Sequence, residues 1–96
     1  MNEQTTTRLD RASMPIRNLA YEYQDSFLVN TNQANDAIYV NATALMVWGM
    51  CDGEITVGEI CAELEQAYPE IGEQVRDDVM DAMSRFIGHG VVFLSS

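Results

Sequence analysis

"NDAIYVNATALMVWGMCDG", residues 35–53, changes character in its middle. Ala37-Ile38-Tyr39-Val40 is an apolar, partly β-branched run that suits a strand, whereas Leu45, Trp48 and Cys51 recur at helical spacing. Asn41-Ala42-Thr43 joins the two, and either Asn41 or Thr43 can cap the helix by accepting a first-turn N–H. The stripe predicted to be buried is Ala44, Leu45, Trp48 and Cys51, with Gly53 ending the helix in a left-handed C′ conformation.

Toward the N-terminus the pattern stays β-like. Asn30 to Asp36 holds three Asn and one Asp, side chains that bond to local backbone and tolerate left-handed conformations, so it reads as a loop. Phe27-Leu28-Val29 precedes it as a strand, and Gln24-Asp25-Ser26 as a turn. Before that, Leu19, Tyr21 and Tyr23 alternate with Ala20, Glu22 and Gln24, the period of a half-buried strand. Three short strands in succession imply an antiparallel meander. Residues 1–16 are mostly polar, run up to Met14-Pro15 and read as a flexible arm, leaving 17–96 as one domain.

Toward the C-terminus the chain turns helical. Thr56-Val57-Gly58-Glu59 is a capping box, opening a helix whose apolar face is Val57, Ile60, Cys61, Leu64 and Tyr68 and which Pro69 stops. A third helix begins near Glu73 and runs to about Gly88 or Gly90, with Val75, Val79, Ala82, Met83 and Phe86 as its core stripe. Met80 and Ile87 fall about a quarter turn away beside Arg76, widening the apolar arc. That arc is either a helix covered on two sides or a groove in which methionine supplies adaptable surface. Val91 to Leu94 is extended. The order β-β-β-α-α-α defines an α+β fold.

Composition narrows what such a fold can do. Ninety-six residues with 47% hydrophobic content make one small core. No apolar run reaches membrane-spanning length, and residues 1–7 lack the basic start and apolar stretch of a secretory signal, so a cytoplasmic setting is expected. Net charge is −10 and lysine is absent. Three of the five arginines lie in residues 1–17, leaving thirteen acids against Arg76 and Arg85 in the remainder. Such a surface repels phosphate backbones and anionic lipid.

Catalytic groups are scarce. The one histidine, His89, sits between glycines at a helix end, an ordinary place for a cation. Asp77, Asp78 and Asp81 read as a solvated helix face, not an acid–base pair. Cys51 and Cys61 read as small core residues, since they form no C-x-x-C and the histidine is far along the chain. Asp25-Ser26-Phe27 resembles the serine motif of acyl carrier proteins, but no long helix follows Ser26. Neither a catalytic residue, a metal site nor a cofactor is expected.

Taken in order, Ile38-Tyr39-Val40-Asn41-Ala42-Thr43-Ala44, Val47-Trp48, Cys51-Asp52-Gly53 and Thr56-Val57-Gly58-Glu59-Ile60 resemble the PqqD-like family, also called the RiPP recognition element, where RiPP denotes a ribosomally made, post-translationally modified peptide. Tyr68, Asp78-Val79 and Gly90-Val91 match in place, and Val40 stands where leucine is commoner. The resemblance covers about residues 17–94. It implies a winged-helix-like fold without catalytic activity. It also implies binding of a precursor's leader peptide and its delivery to a radical SAM protein, cyclodehydratase or leader peptidase. In that family the leader adds as a strand to the third strand and lies in the groove toward the third helix.

Physical chemistry supplies the means. An edge strand presents unpaired N–H and C=O groups, so an extended peptide gains main-chain hydrogen bonds with little demand on its sequence. On this reading Ala37, Ile38, Tyr39, Val40 and Asn41 form the edge. Arg76, Met80, Met83 and Ile87 form the facing wall, and Asp77, with Asp78 and Asp81, biases the rim toward basic groups. An exposed edge also leaves room for a homodimer. Two other readings are open: a winged-helix DNA-binding protein, which the acids of the third helix oppose, and an adaptor subunit without a peptide ligand.

Overall fold

The computed structural model describes residues 9–94. Its elements are β1 (Pro15–Arg17), β2 (Tyr21–Gln24), β3 (Phe27–Asn30), β4 (Gln33–Tyr39), α1 (Ala42–Gly49), α2 (Val57–Ala67), α3 (Gly72–His89) and β5 (Val92–Leu94), with a 3-10 turn at Pro69–Ile71 between α2 and α3. Strands β2, β3 and β4 form the expected antiparallel meander, followed by three helices, an α+β architecture. No helix among the described residues is long and apolar enough to cross a membrane.

The meander is built differently from its sequence pattern in two places. Asp25 and Ser26 both take left-handed backbone, with φ of 50° and 74°, so β2 and β3 join through a two-residue turn of the type that matches strand twist. The predicted Asn30–Asp36 loop is instead a short turn at Thr31-Asn32, where the Asn30 side chain accepts the Asn32 N–H at 2.8 Å. From Gln33 the chain is already in β4. A register shift between Val29 and Asn30 absorbs the mismatch with β3. Polar side chains hid this half of the strand, yet Asp36 has inward work: it accepts hydrogen bonds from Tyr21 Oη and, at 3.2 Å, from Asn30 Nδ2. That contact, ahead of burial, raises the Tyr21 pKa above its ordinary value.

The first predicted strand also shortens. Leu19 is 88% exposed, because Asn18 Oδ1 accepts the Ala20 N–H and starts the strand only at Tyr21. Residues 1–8 lie outside the described residues, but the rest of the stretch read as an arm is built into the fold. Pro15–Arg17 pairs antiparallel with β5 in a second, two-stranded sheet. The carbonyls of Arg11 and Ser13 accept the N–H groups of Gly58 and Val57, both at 2.9 Å. Those donors belong to the first turn of α2, which has no intrahelical partner for them.

The core lies where the helices meet the inner face of the meander, with Leu28, Ile38, Val47, Ile60, Val79 and Phe86 all at or below 5% exposure. In α1 the cap is Asn41, whose Oδ1 accepts the Ala44 N–H at 2.8 Å. The helix ends at Gly49, so Gly53, at φ 82°, shapes the following turn and does not serve as C′. Ala44, Val47 and Cys51 are buried; Leu45 and Trp48 only half, packed at the core's margin. The α2 capping box forms, with Thr56 N–H to Glu59 Oε1 at 2.7 Å and Glu59 N–H to Thr56 Oγ1 at 3.1 Å. Its face is Val57, Ile60, Cys61 and Leu64, while Tyr68 is exposed. The α3 stripe is the predicted one, and Gly90 closes that helix at φ 75°.

Candidate functional site

The C-terminal half of β4 joins directly to the cap of α1, so its backbone is fixed at one end by a helix. Val40 N–H donates to Ser26 O at 2.8 Å, which turns Val40 toward β3. Antiparallel ladders alternate, so Ile38 turns the same way and Ala37 and Tyr39 turn their backbone groups to the free side. Consistent with this, the Tyr39 carbonyl accepts a 2.7 Å hydrogen bond from Arg85 Nη2, reaching from α3. Side chains alternate as well. Ile38 and Val40 are buried, whereas Ala37 and Tyr39 are exposed, with the Tyr39 ring edge-on to Phe27 at 5.9 Å. The five predicted edge residues therefore divide. Ala37 and Tyr39 present backbone, Ile38 and Val40 anchor it, and the exposed Asn41 caps α1.

The α3 residues predicted as the facing wall are placed elsewhere. Arg76 pairs with Glu65 of α2 at 3.1 Å, which sets the flank of α3 that faces α2. At 3.6 residues per turn Met80 and Ile87 lie along that same flank. Both are half-buried and packed on the core, and Met83 is wholly buried. Asp77 is exposed near the start of α3, beside the Pro69–Ile71 turn. The α3 side chain that bonds the β4 backbone is Arg85, on the opposite flank. Periodicity revealed the apolar arc of α3; which flank meets the sheet depends on how the helix crosses it.

Asp78, Asp81 and Arg85, spaced at three and four residues, are on the flank that does meet β4. With Asn41 and Thr43 they line a polar notch of about 50 Å³ just past the strand's end. Thr43 is shared with a second hollow of about 170 Å³, mostly apolar, between the start of α1 and the Met46, Leu64, Tyr68, Ile71 and Val75 side chains. The notch and the apolar hollow thus adjoin at Thr43, and Arg85 links the notch to the β4 edge through its bond to the Tyr39 carbonyl. Arg85 was the residue that sequence reasoning missed; its signal was a lone cation one turn after Asp81 on an acidic flank.

Cys51 and Cys61 are free, buried thiols. Desolvation pushes the Cys51 thiol up to about 12 and also raises that of Cys61. No group of three or more His, Cys, Asp or Glu side chains among the described residues could hold a metal ion. Ser26 lies in the β2–β3 turn, and His89 is exposed at the end of α3.

The chain belongs to the PqqD family. The family described as coenzyme PQQ synthesis protein D (PqqD) matches residues 21–92, from the first residue of β2 to the first of β5. No curated protein and no solved structure matches the chain. The matched span contains the β4 edge, the notch and the apolar hollow, and leaves out β1.

Proposed function

We propose that this protein is a non-catalytic peptide-binding accessory protein. It holds the leader segment of a ribosomally made precursor and presents it to a modifying enzyme, such as a radical SAM protein, a cyclodehydratase or a leader peptidase. The observation that carries the reading is the free side of β4, where Ala37 and Tyr39 offer backbone groups beside a helix-anchored end. An added strand gains main-chain hydrogen bonds there, and alternate side chains of the peptide face the notch at Arg85 and Thr43. The family's part in coenzyme synthesis fits an accessory role of this kind. The acidic flank of α3 favours a peptide over nucleic acid.

Tyr39→Pro is the direct test. Tyr39 N–H points away from β3, so proline removes a donor from the free edge without taking one from the β3–β4 ladder. A leader-peptide ligand, titrated by NMR, should shift the amides of Ala37 and Tyr39 in the native protein. In the folded variant, affinity should fall at least about tenfold, the effect of roughly one lost hydrogen bond with its desolvation cost. Unchanged binding by folded Tyr39→Pro would sink strand addition.

A further inference from the structure

Arg85 has an unusual position for a cation on a helix. Asp81 lies one turn before it, at the spacing where a helix surface ordinarily forms an ion pair. Yet the guanidinium makes no ion pair among the described residues and reaches instead across to the Tyr39 carbonyl at 2.7 Å. It is thereby held over the free side of β4, exposed, with most of its five N–H donors unspent. Asp81 and the half-buried Asp78 lie farther along the same flank, lining the notch with Asn41 and Thr43.

From this geometry, and resting on the strand-addition reading above, we propose that Arg85 is the specificity-determining residue of the peptide site: it selects a carboxylate on the added strand and so sets its register. A planar guanidinium binds a carboxylate through two parallel N–H···O bonds, and the Tyr39 carbonyl supplies its orientation in advance. The guanidinium also occupies the place where an added backbone would reach that carbonyl, so the ladder closes at Arg85. An Asp or Glu side chain of the peptide meets it there. Beyond that point Asp81 and Asp78 repel a second carboxylate, so the preferred ligand is an extended segment with one acidic residue at the Arg85 position and neutral or basic residues past it. Net charge alone would make the opposite choice, since a protein of charge −10 disfavours acidic ligands.

The experiment is a selection of randomised twelve-residue peptides against the full chain and, separately, against Arg85→Glu. The selected peptides are then titrated by NMR. Native protein should enrich peptides with Asp or Glu at one fixed position, and Arg85→Glu should replace it by Lys or Arg. For a native-selected peptide, changing that Glu to Gln should weaken binding about tenfold to native protein and leave binding to Arg85→Gln unchanged, with Arg85→Lys retaining part of the preference. Peptides that shift the Ala37 and Tyr39 amides without any acidic preference overturn the role of Arg85 and leave strand addition standing. A selection whose peptides leave those amides unmoved, or that yields no binder, overturns both.

Discussion

Two marginal strands of this molecule have opposite fates. β1 is closed on both sides. β5 pairs along one, and the turn after α1 along the other, through Arg17 N–H to Cys51 O at 2.9 Å, Gly53 N–H to Pro15 O at 2.8 Å and a bridge between Ile16 and Asp52. The Arg17 side chain adds to the seal by bonding the Gly49 carbonyl at 2.7 Å and lying over the Trp48 ring at 5.5 Å. Among the described residues, β4 has β3 on one side and, near its C-terminal end, the Arg85 guanidinium on the other. Nor does β4 carry a charged side chain from Ala37 to Tyr39, whereas the opposite margin of the same sheet, β2, carries the exposed Glu22. Charge and short length are among the usual protections of an edge; β4 is the longest strand, and its Ala37–Tyr39 stretch carries no charge. An open edge is therefore not forced on so small a fold.

Moving a proline by one residue along β4 should have the greatest effect on stability. Ile38 turns its N–H to β3 and its side chain, 5% exposed, to the core. Ile38→Pro removes a ladder bond and a buried aliphatic group together, and should cost about 3 kcal/mol or more in urea-induced unfolding. Tyr39→Pro should leave the ladder intact and cost much less. Equal losses at the two positions would mean that the alternation assigned to β4 is wrong.

The sealed end invites a smaller, complementary break. Gly53 has φ 82°, and a Cβ there would meet Ile16 Cδ1 at 3.1 Å. Gly53→Ala should therefore cost about 1–2 kcal/mol, from left-handed strain and crowding against β1, while leaving peptide binding at β4 unchanged. Cys51 gives a direct reading of the same end. Its thiol is buried and held up to about 12, so thiol reagents at pH 8 reach it only through opening. In a Cys61→Ala background, Gly53→Ala should raise its labelling rate about 5- to 30-fold, the factor that corresponds to that energy. A raised thiol pKa also fixes the direction with pH. Its contribution to stability is full below the unfolded-state value and is lost as pH rises toward about 12.

What could be read in the sequence follows the same division. The meander, the capping box at Thr56 and Glu59, and the α3 stripe from Val75 to Phe86 were legible because each is a local pattern of period two, of cap spacing or of period 3.6. β1 was not. A three-residue strand beginning with proline has no periodicity, and its partner, β5, comes from the other end of the chain. The polar half of β4 was hidden because Asp36 faces inward to satisfy Tyr21, a reason that exists only after folding. At the candidate site the edge residues Ala37 to Val40 were legible as a strand. The facing flank was not, because periodicity groups Arg76 with Met80 and Ile87 without saying which neighbour they meet. Only the Arg76–Glu65 and Arg85–Tyr39 contacts decide that.

A slighter change is expected at the turn between β2 and β3. Asp25 and Ser26 hold left-handed backbone between β2 and β3, and Ser26 also lends its carbonyl to Val40 N–H, the bond that orients β4. Neither residue is the best choice for that geometry; Asn-Gly is. The double change Asp25→Asn with Ser26→Gly relieves strain at both positions, although glycine also widens the unfolded ensemble, so the net gain should be about 0.5–1 kcal/mol. Thermal unfolding should move up by a few degrees, and amide exchange at Val40 should slow. Because the added stability acts through the bond that holds Val40 toward β3, the outward groups of Ala37 and Tyr39 become more fixed and peptide affinity should not fall. A more stable hairpin with weaker peptide binding would show instead that β4 must move to accept its partner.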